Sequence, residues 1–85
     1  MSVVRGPANE ILLQGNCPVE EAETLLGLLL AEPGSVVDWS GCTRAHTAVV
    51  QVLIALRPPV RGTCRDAILA RWITPVLARA ADGAR

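Results

Sequence analysis

Asp38, Ser40, Thr43, His46 and Thr47 fall within one ten-residue stretch of the chain and bring together a carboxylate, three hydroxyls and its single histidine. Residues of these types can hydrogen-bond an anion, accept a phosphoryl group on a hydroxyl oxygen, or simply shape a turn. The wider segment, Val36 to Leu56, reads as a short buried strand, a polar turn and an apolar helix whose first turn begins at Thr47. A helix start gathers unpaired backbone N–H groups and the positive end of the peptide dipoles, so it suits phosphate or another anion. A hydroxyl there has two readings. As a cap it accepts a backbone N–H, worth about 1 kcal/mol. As a phosphate acceptor it gains nearly two negative charges, which the dipole tolerates and an acidic partner repels.

The neighbours divide in the same way. Asp38, at the expected end of the strand, is either a turn carboxylate holding Ser40 to Thr43 in shape or a ligand at the edge where open α/β sheets bind. Gly41 permits a close turn; no glycine-rich loop surrounds it. His46 reads as a polar turn residue or as a hydrogen-bond partner for phosphate. With Cys42 it would supply half a metal site, but no further ligands lie nearby in sequence, so no metal is expected. A Cys–His catalytic pair lacks an orienting acid and an oxyanion donor. No catalytic residue, cofactor or enzymatic activity is therefore expected.

The same stretch resembles the core of the STAS family, named for sulfate transporters and anti-sigma-factor antagonists. That core runs as a hydrophobic strand, Asp-Leu-Ser-Gly-Val-Thr, two residues, then Asp-Ser-Ser-Gly-Leu-x-Val-Leu opening a helix. Asp38, Ser40, Gly41 and Thr43 match the first part, and Gln51, Val52 and Leu53 continue the helix in register. In the family the hydroxyl after the second Asp is phosphorylated by a partner kinase; the matching position here is Thr47. His46 replaces that Asp, Ala48 the next Ser and Val49 the Gly. Weaker similarity extends over Leu12–Leu30. The resemblance implies a small mixed sheet of about four strands, with helices packed mainly on one face. It also implies a regulatory, protein-binding role.

Bulk properties bound these readings. An 85-residue chain holds one domain, residues 1–85, with 51% apolar and 2% aromatic residues, so its core must be built from Leu, Val, Ile and Ala. Such a composition does not favour disorder. A mean hydropathy of +0.37 is high for so small a domain; some of its surface is expected to meet a partner or a second copy, a homodimer. No run approaches the ~18 apolar residues that a membrane span requires, so no membrane insertion is expected. Met1–Arg5 lacks the apolar core of a signal peptide, and a cytoplasmic location is expected.

Cys17, Cys42 and Cys64 are an odd set without a Cys-x-x-Cys pair, hence expected as buried thiols. Residues 1–40 carry six acids against Arg5, a net −5, whereas residues 41–85 carry seven arginines against two acids, a net +5. Two faces that complement each other within one fold, or a dipolar docking surface, would both produce this. With no net basic charge and almost no aromatic surface, nucleic-acid binding is not expected.

The elements that must position these residues follow from pattern. Ser2–Arg5 and Glu10–Gln14 are strand candidates joined by the turn-rich Gly6-Pro7-Ala8-Asn9. A helix is expected from Cys17-Pro18, with Glu20, Glu21 and Glu23 in its first turns and a stripe of Val19, Ala22, Leu26 and Leu29 or Leu30; Leu25 and Leu28 widen that stripe, and Pro33-Gly34 ends the helix. Ser35–Ser40 is the central strand and Thr47–Leu56 the second helix, stopped by Arg57-Pro58-Pro59. Val60–Cys64 reads as an edge strand. Asp66 caps a last helix whose stripe is Ile68, Leu69, Trp72, Ile73, Val76 and Leu77, continuing through Pro75 before Ala80–Arg85 frays. Trp72 is expected in the core; Trp39 is expected there too, unless it faces outward as an interface anchor.

The alternation predicts an α/β fold with a mixed sheet. The function expected is that of an anti-sigma-factor antagonist acting in regulation of transcription, a cytoplasmic phosphoprotein. It would dock an anti-sigma-type kinase through Asp38, Ser40, Thr43, His46 and Thr47. The alternative is a STAS-like accessory subunit clamping the ATPase of an ABC-type transporter.

Overall fold

A computed structural model describes residues 2–77. Its elements run β1 (Val3–Arg5), β2 (Glu10–Cys17), α1 (Glu20–Ala31), β3 (Val36–Ala45), α2 (Thr47–Leu56), β4 (Val60–Arg61) and α3 (Ala67–Trp72). The strands form one mixed sheet in the order β1-β2-β3-β4, the first pair antiparallel and the other two parallel. The expected α/β class, with about four strands, is the observed one.

The β1–β2 hairpin turns through Ala8 and Asn9, both left-handed at φ 55° and 65°, and Glu10 N–H donates to Pro7 O at 3.2 Å. Two consecutive left-handed residues give the turn whose twist matches that of the flanking strands. From β2 onward the chain follows β–α–β crossovers, which require parallel neighbours.

One face of the sheet carries the core. Val3, Ile11, Leu13, Val37 and Trp39 are buried there against Leu25 and Leu29 of α1 and Val49 and Leu53 of α2. The alternate residues Leu12, Gln14, Asp38 and Ser40 remain half-buried or exposed. Trp39 is wholly buried and its Nε1–H donates to Gly62 O at 3.0 Å, tying β3 to the segment after β4. Gly62 must be glycine: its φ is +84°, and a Cβ there would lie 2.7 Å from Ser40 Cβ.

Several boundaries differ from expectation. Cys17 does not open α1 but closes β2, where it is buried and its carbonyl accepts the His46 N–H at 2.9 Å. A single tight turn, Glu21 N–H to Pro18 O at 2.9 Å, separates that strand from the helix. The buried residues of α1 are Leu25 and Leu29, with Ala22 and Leu28 packed beside them, whereas Val19, Leu26 and Leu30 are exposed. The core face thus joins Ala22 and Leu29 of the expected stripe to the widening residues Leu25 and Leu28, while Val19 and Leu26 turn outward.

Residues 41–45, expected as a turn, continue β3. Pairing to β2 slips twice: Leu12↔Asp38 is followed by Gln14↔Gly41, and Gly15↔Cys42 by Asn16↔Arg44. Each slip is one extra residue in β3, a bulge, and Thr43 is the residue skipped at the second. Glycine, serine and threonine therefore mark bulges here, not a chain reversal.

The predicted strand Val60–Cys64 shrinks to Val60–Arg61, because Gly62 bends away. Asp66 caps α3 as expected, its Oδ1 accepting from Ile68 N–H and Leu69 N–H at 2.9 and 3.3 Å. The helix breaks at Ile73 and resumes over 74–77 around Pro75, which has no N–H to give. Leu77 is buried and Leu69 and Ile73 pack on the core, so the inner line is 69–73–77. Trp72 is not core: it is 63% exposed on the outer line with Ile68 and Val76. The expected fraying of Ala80–Arg85 lies outside the described residues.

The three cysteines, far apart in sequence, converge as buried free thiols. Cys64 Sγ donates to Cys42 O at 3.2 Å, and Cys42 Sγ to Arg44 O at 3.5 Å. Burial pushes the Cys64 thiol up to about 11. The hydrogen bond to Cys17, with burial, raises that of Cys42 as well. Both therefore remain protonated at neutral pH and pack as small apolar groups.

Candidate functional site

β2 and β3 end side by side, at Cys17 and Ala45, where α1 and α2 begin. In a parallel sheet this is the carboxyl end of the strands, facing helix N-termini, where open α/β folds bind their ligands. A hollow of about 460 Å³ opens there, and its polar lining is Asn16, Glu20, Arg44, His46 and Thr47.

α2 starts at Thr47, as the sequence predicts, but the capping role falls to His46. His46 is extended, at φ −64° and ψ 149°, and its Nδ1 accepts the Ala48 N–H at 3.0 Å. His46 O accepts the Val49 and Val50 N–H groups at 2.9 and 3.3 Å. Thr47 is thus the first helical residue, not the cap, and its side chain is exposed. Of the two readings of Thr47, the capping one is thus taken over by its neighbour His46.

The remaining sequence candidates do not share this hollow. Asp38 is the third residue of β3 rather than its end, and with Ser40 it lies on the open face of the sheet. Its Oδ1 accepts from Ser40 N–H at 2.9 Å and from Ser40 Oγ–H at 2.7 Å, and its Oδ2 from Arg61 at 3.3 Å. These bonds, the Ser40 hydroxyl first, hold its carboxyl below the usual aspartate value of 3.8. Arg61 also donates to Glu10 at 2.6 Å, so Asp38 belongs to a Glu10–Arg61–Asp38 bridge that fastens edge strand β4 across the sheet. That is the shape-holding reading of Asp38. Thr43 is exposed at the second bulge. The expected surface is therefore two surfaces: His46 and Thr47 at the end of the sheet, Asp38 and Ser40 on its open face.

Asn16, Glu20 and Arg44 were not singled out as site residues by sequence reasoning. Glu20 reads there only as an acid favoured by the α1 dipole, and Arg44 as part of a turn. A parallel β2–β3 pairing that aligns Cys17 with Ala45 is the signal that sets Glu20 near Thr47, because it puts both helix starts at one edge. The hollow thus holds a carboxylate, a guanidinium, an imidazole and a hydroxyl, a set able to orient a polar partner. Cys42 is fully buried in the core while His46 is exposed, and among the described residues no three His, Cys, Asp or Glu side chains group as metal ligands. Nor is any helix among them long and apolar enough to cross a membrane. No family model, curated protein or solved structure matches the chain.

Proposed function

We propose that this chain is a non-enzymatic, STAS-like regulatory domain of the anti-sigma-factor-antagonist type, docking a partner kinase in the cytoplasm through the hollow at the ends of β2 and β3. Thr47 is the phosphoacceptor. The observation that carries the reading is the exposed Thr47 side chain on the first residue of α2, at the carboxyl edge of a parallel sheet.

The chemistry is a simple transfer. Thr47 Oγ attacks the γ-phosphorus of the kinase's ATP, its proton passes to a base of the kinase, and ADP leaves. The product dianion sits where the α2 dipole stabilises negative charge and where Arg44 lines the same hollow. Glu20, in that hollow too, supplies a carboxylate where the family pattern has an Asp beside the hydroxyl. Two acidic groups in one docking surface then repel an acidic partner face, which releases it.

Incubation with an anti-sigma-type kinase and ATP, followed by mass spectrometry, tests this. One phosphoryl group on Thr47, absent from Thr47→Ala, is expected. Unchanged mass, or equal labelling of Thr47→Ala, would remove the phosphoacceptor role.

A second reading rests on His46, which stands in the acid's place and spends its Nδ1 on the cap. In it the domain is a non-switching accessory subunit that clamps a transporter ATPase, and a stable complex with such a subunit would be unaffected by Thr47→Asp.

A further inference from the structure

The outer side of the α1–α2 pair is an apolar trough of about 400 Å³, floored by Ala22, Leu26, Ala48, Val52 and Leu56 with Glu23 at its lip. α2 carries no charged residue over its ten positions, yet Gln51, Ile54, Ala55 and Leu56 are exposed. A surface helix ordinarily turns charged and polar residues outward, so an apolar outer face marks a contact surface.

α3 presents the complementary shape. Ile68 and Trp72 of α3, with Val76 from the helical turn after the break at Ile73, are 71%, 63% and 43% exposed, and the i, i+4 pair has the anchor spacing of a helix that lies in a groove. Arg71 stacks over the Trp72 ring at 5.2 Å, and Arg65 is exposed at the start of the same ridge. Basic charge thus accompanies the ridge, while the exposed carboxylate of Glu23 on α1 stands at the trough.

We propose that the trough is filled by α3 of a second copy of this chain, with the Ile68–Trp72–Val76 ridge along the trough and Arg71 facing Glu23. Each copy holds both a ridge and a trough, and the pair proposed is the twofold one, in which both contacts form at once. Trp72 is the anchor, a large aromatic side chain moved from water into an apolar channel. The inference is independent of Thr47.

Sedimentation of the full chain over a range of concentrations is the test, read together with tryptophan emission. Trp39 is wholly buried in the core, so a change in emission on association is assigned to Trp72. The expected result is a dimer forming with a blue shift, weakened at least about tenfold by Trp72→Ala. Glu23→Arg and Arg71→Glu each weaken it, and together restore it. Trp72→Ala mixed with Leu26→Asp recovers association that neither shows alone, because one intact contact remains per mixed pair. Circular dichroism confirms that the variants fold. A chain that stays monomeric at all concentrations, its trough left to another protein or to its own residues 78–85, overturns the proposal. So does a dimer indifferent to Trp72→Ala, or one whose mixed variants fail to recover.

Discussion

At the residue scale, His46 and Thr47 divide one task. The imidazole Nδ1 takes the Ala48 N–H, leaving the adjacent hydroxyl without a capping duty. Removing the cap by His46→Ala should destabilise the fold by about 1 kcal/mol, measured by urea unfolding, while Thr47→Ala should change stability by less than about 0.5 kcal/mol. The reverse order would return the cap to Thr47. His46→Asp installs one of the best capping residues, together with the acid of the family pattern. Stability should hold and kinase labelling of Thr47 should rise. Reduced labelling of a folded His46→Asp chain would show that the acid plays no part.

At the element scale, α1 shows how far pattern reading reaches. Seven apolar residues crowd positions 22–31, so periodicity alone admits more than one stripe, and only packing on β2 selects Leu25 and Leu29. Leu25→Ala should cost about 2–5 kcal/mol, whereas Leu30→Ala, at an exposed position, should stay within about 0.5 kcal/mol. Comparable losses from both would refute the assigned face. α2 was legible to the residue because the Thr47 hydroxyl marks a helix start and Arg57-Pro58-Pro59 a stop, although the cap itself fell to His46. β3 was only half legible. Ser40-Gly41 and Thr43-Arg44 have turn composition, and nothing local reveals that β2 offers ladder partners to residues on both sides of each slip. Trp72 was misplaced for a related reason: a two-residue-wide stripe on α3 has an inner and an outer line, and the core takes the inner one.

At the scale of the whole molecule, long-range polar contacts fasten the sheet's edges. Glu21 Oε1 accepts the Ser2 and Val3 N–H groups at 2.8 and 3.1 Å and so pins edge strand β1 to α1. These bonds, Val3 first, hold the Glu21 carboxyl below its ordinary value of 4.5. A depressed carboxyl stabilises the fold fully above that ordinary value and loses its effect as pH falls through the lowered one. Stability should therefore decline on acidification from about pH 4.5, and Glu21→Gln should flatten part of that decline in urea midpoints taken across pH. A parallel decline in Glu21→Gln would place the acid sensitivity elsewhere, with Asp38 in the Arg61 bridge the next carboxyl to test. The sequence read Glu21 only as a helix-start acid, since a bond spanning 18 residues leaves no local trace.

The proposed function turns on where a partner binds. Affinity for an anti-sigma-type kinase, measured by calorimetry for the wild type, Thr47→Asp and Asp38→Asn, addresses this directly. Docking at the end of the sheet predicts that Thr47→Asp abolishes binding and that Asp38→Asn, on the open face, leaves it intact. Wild-type affinity in Thr47→Asp, with loss in Asp38→Asn, would place the partner on the open face of the sheet and contradict the account.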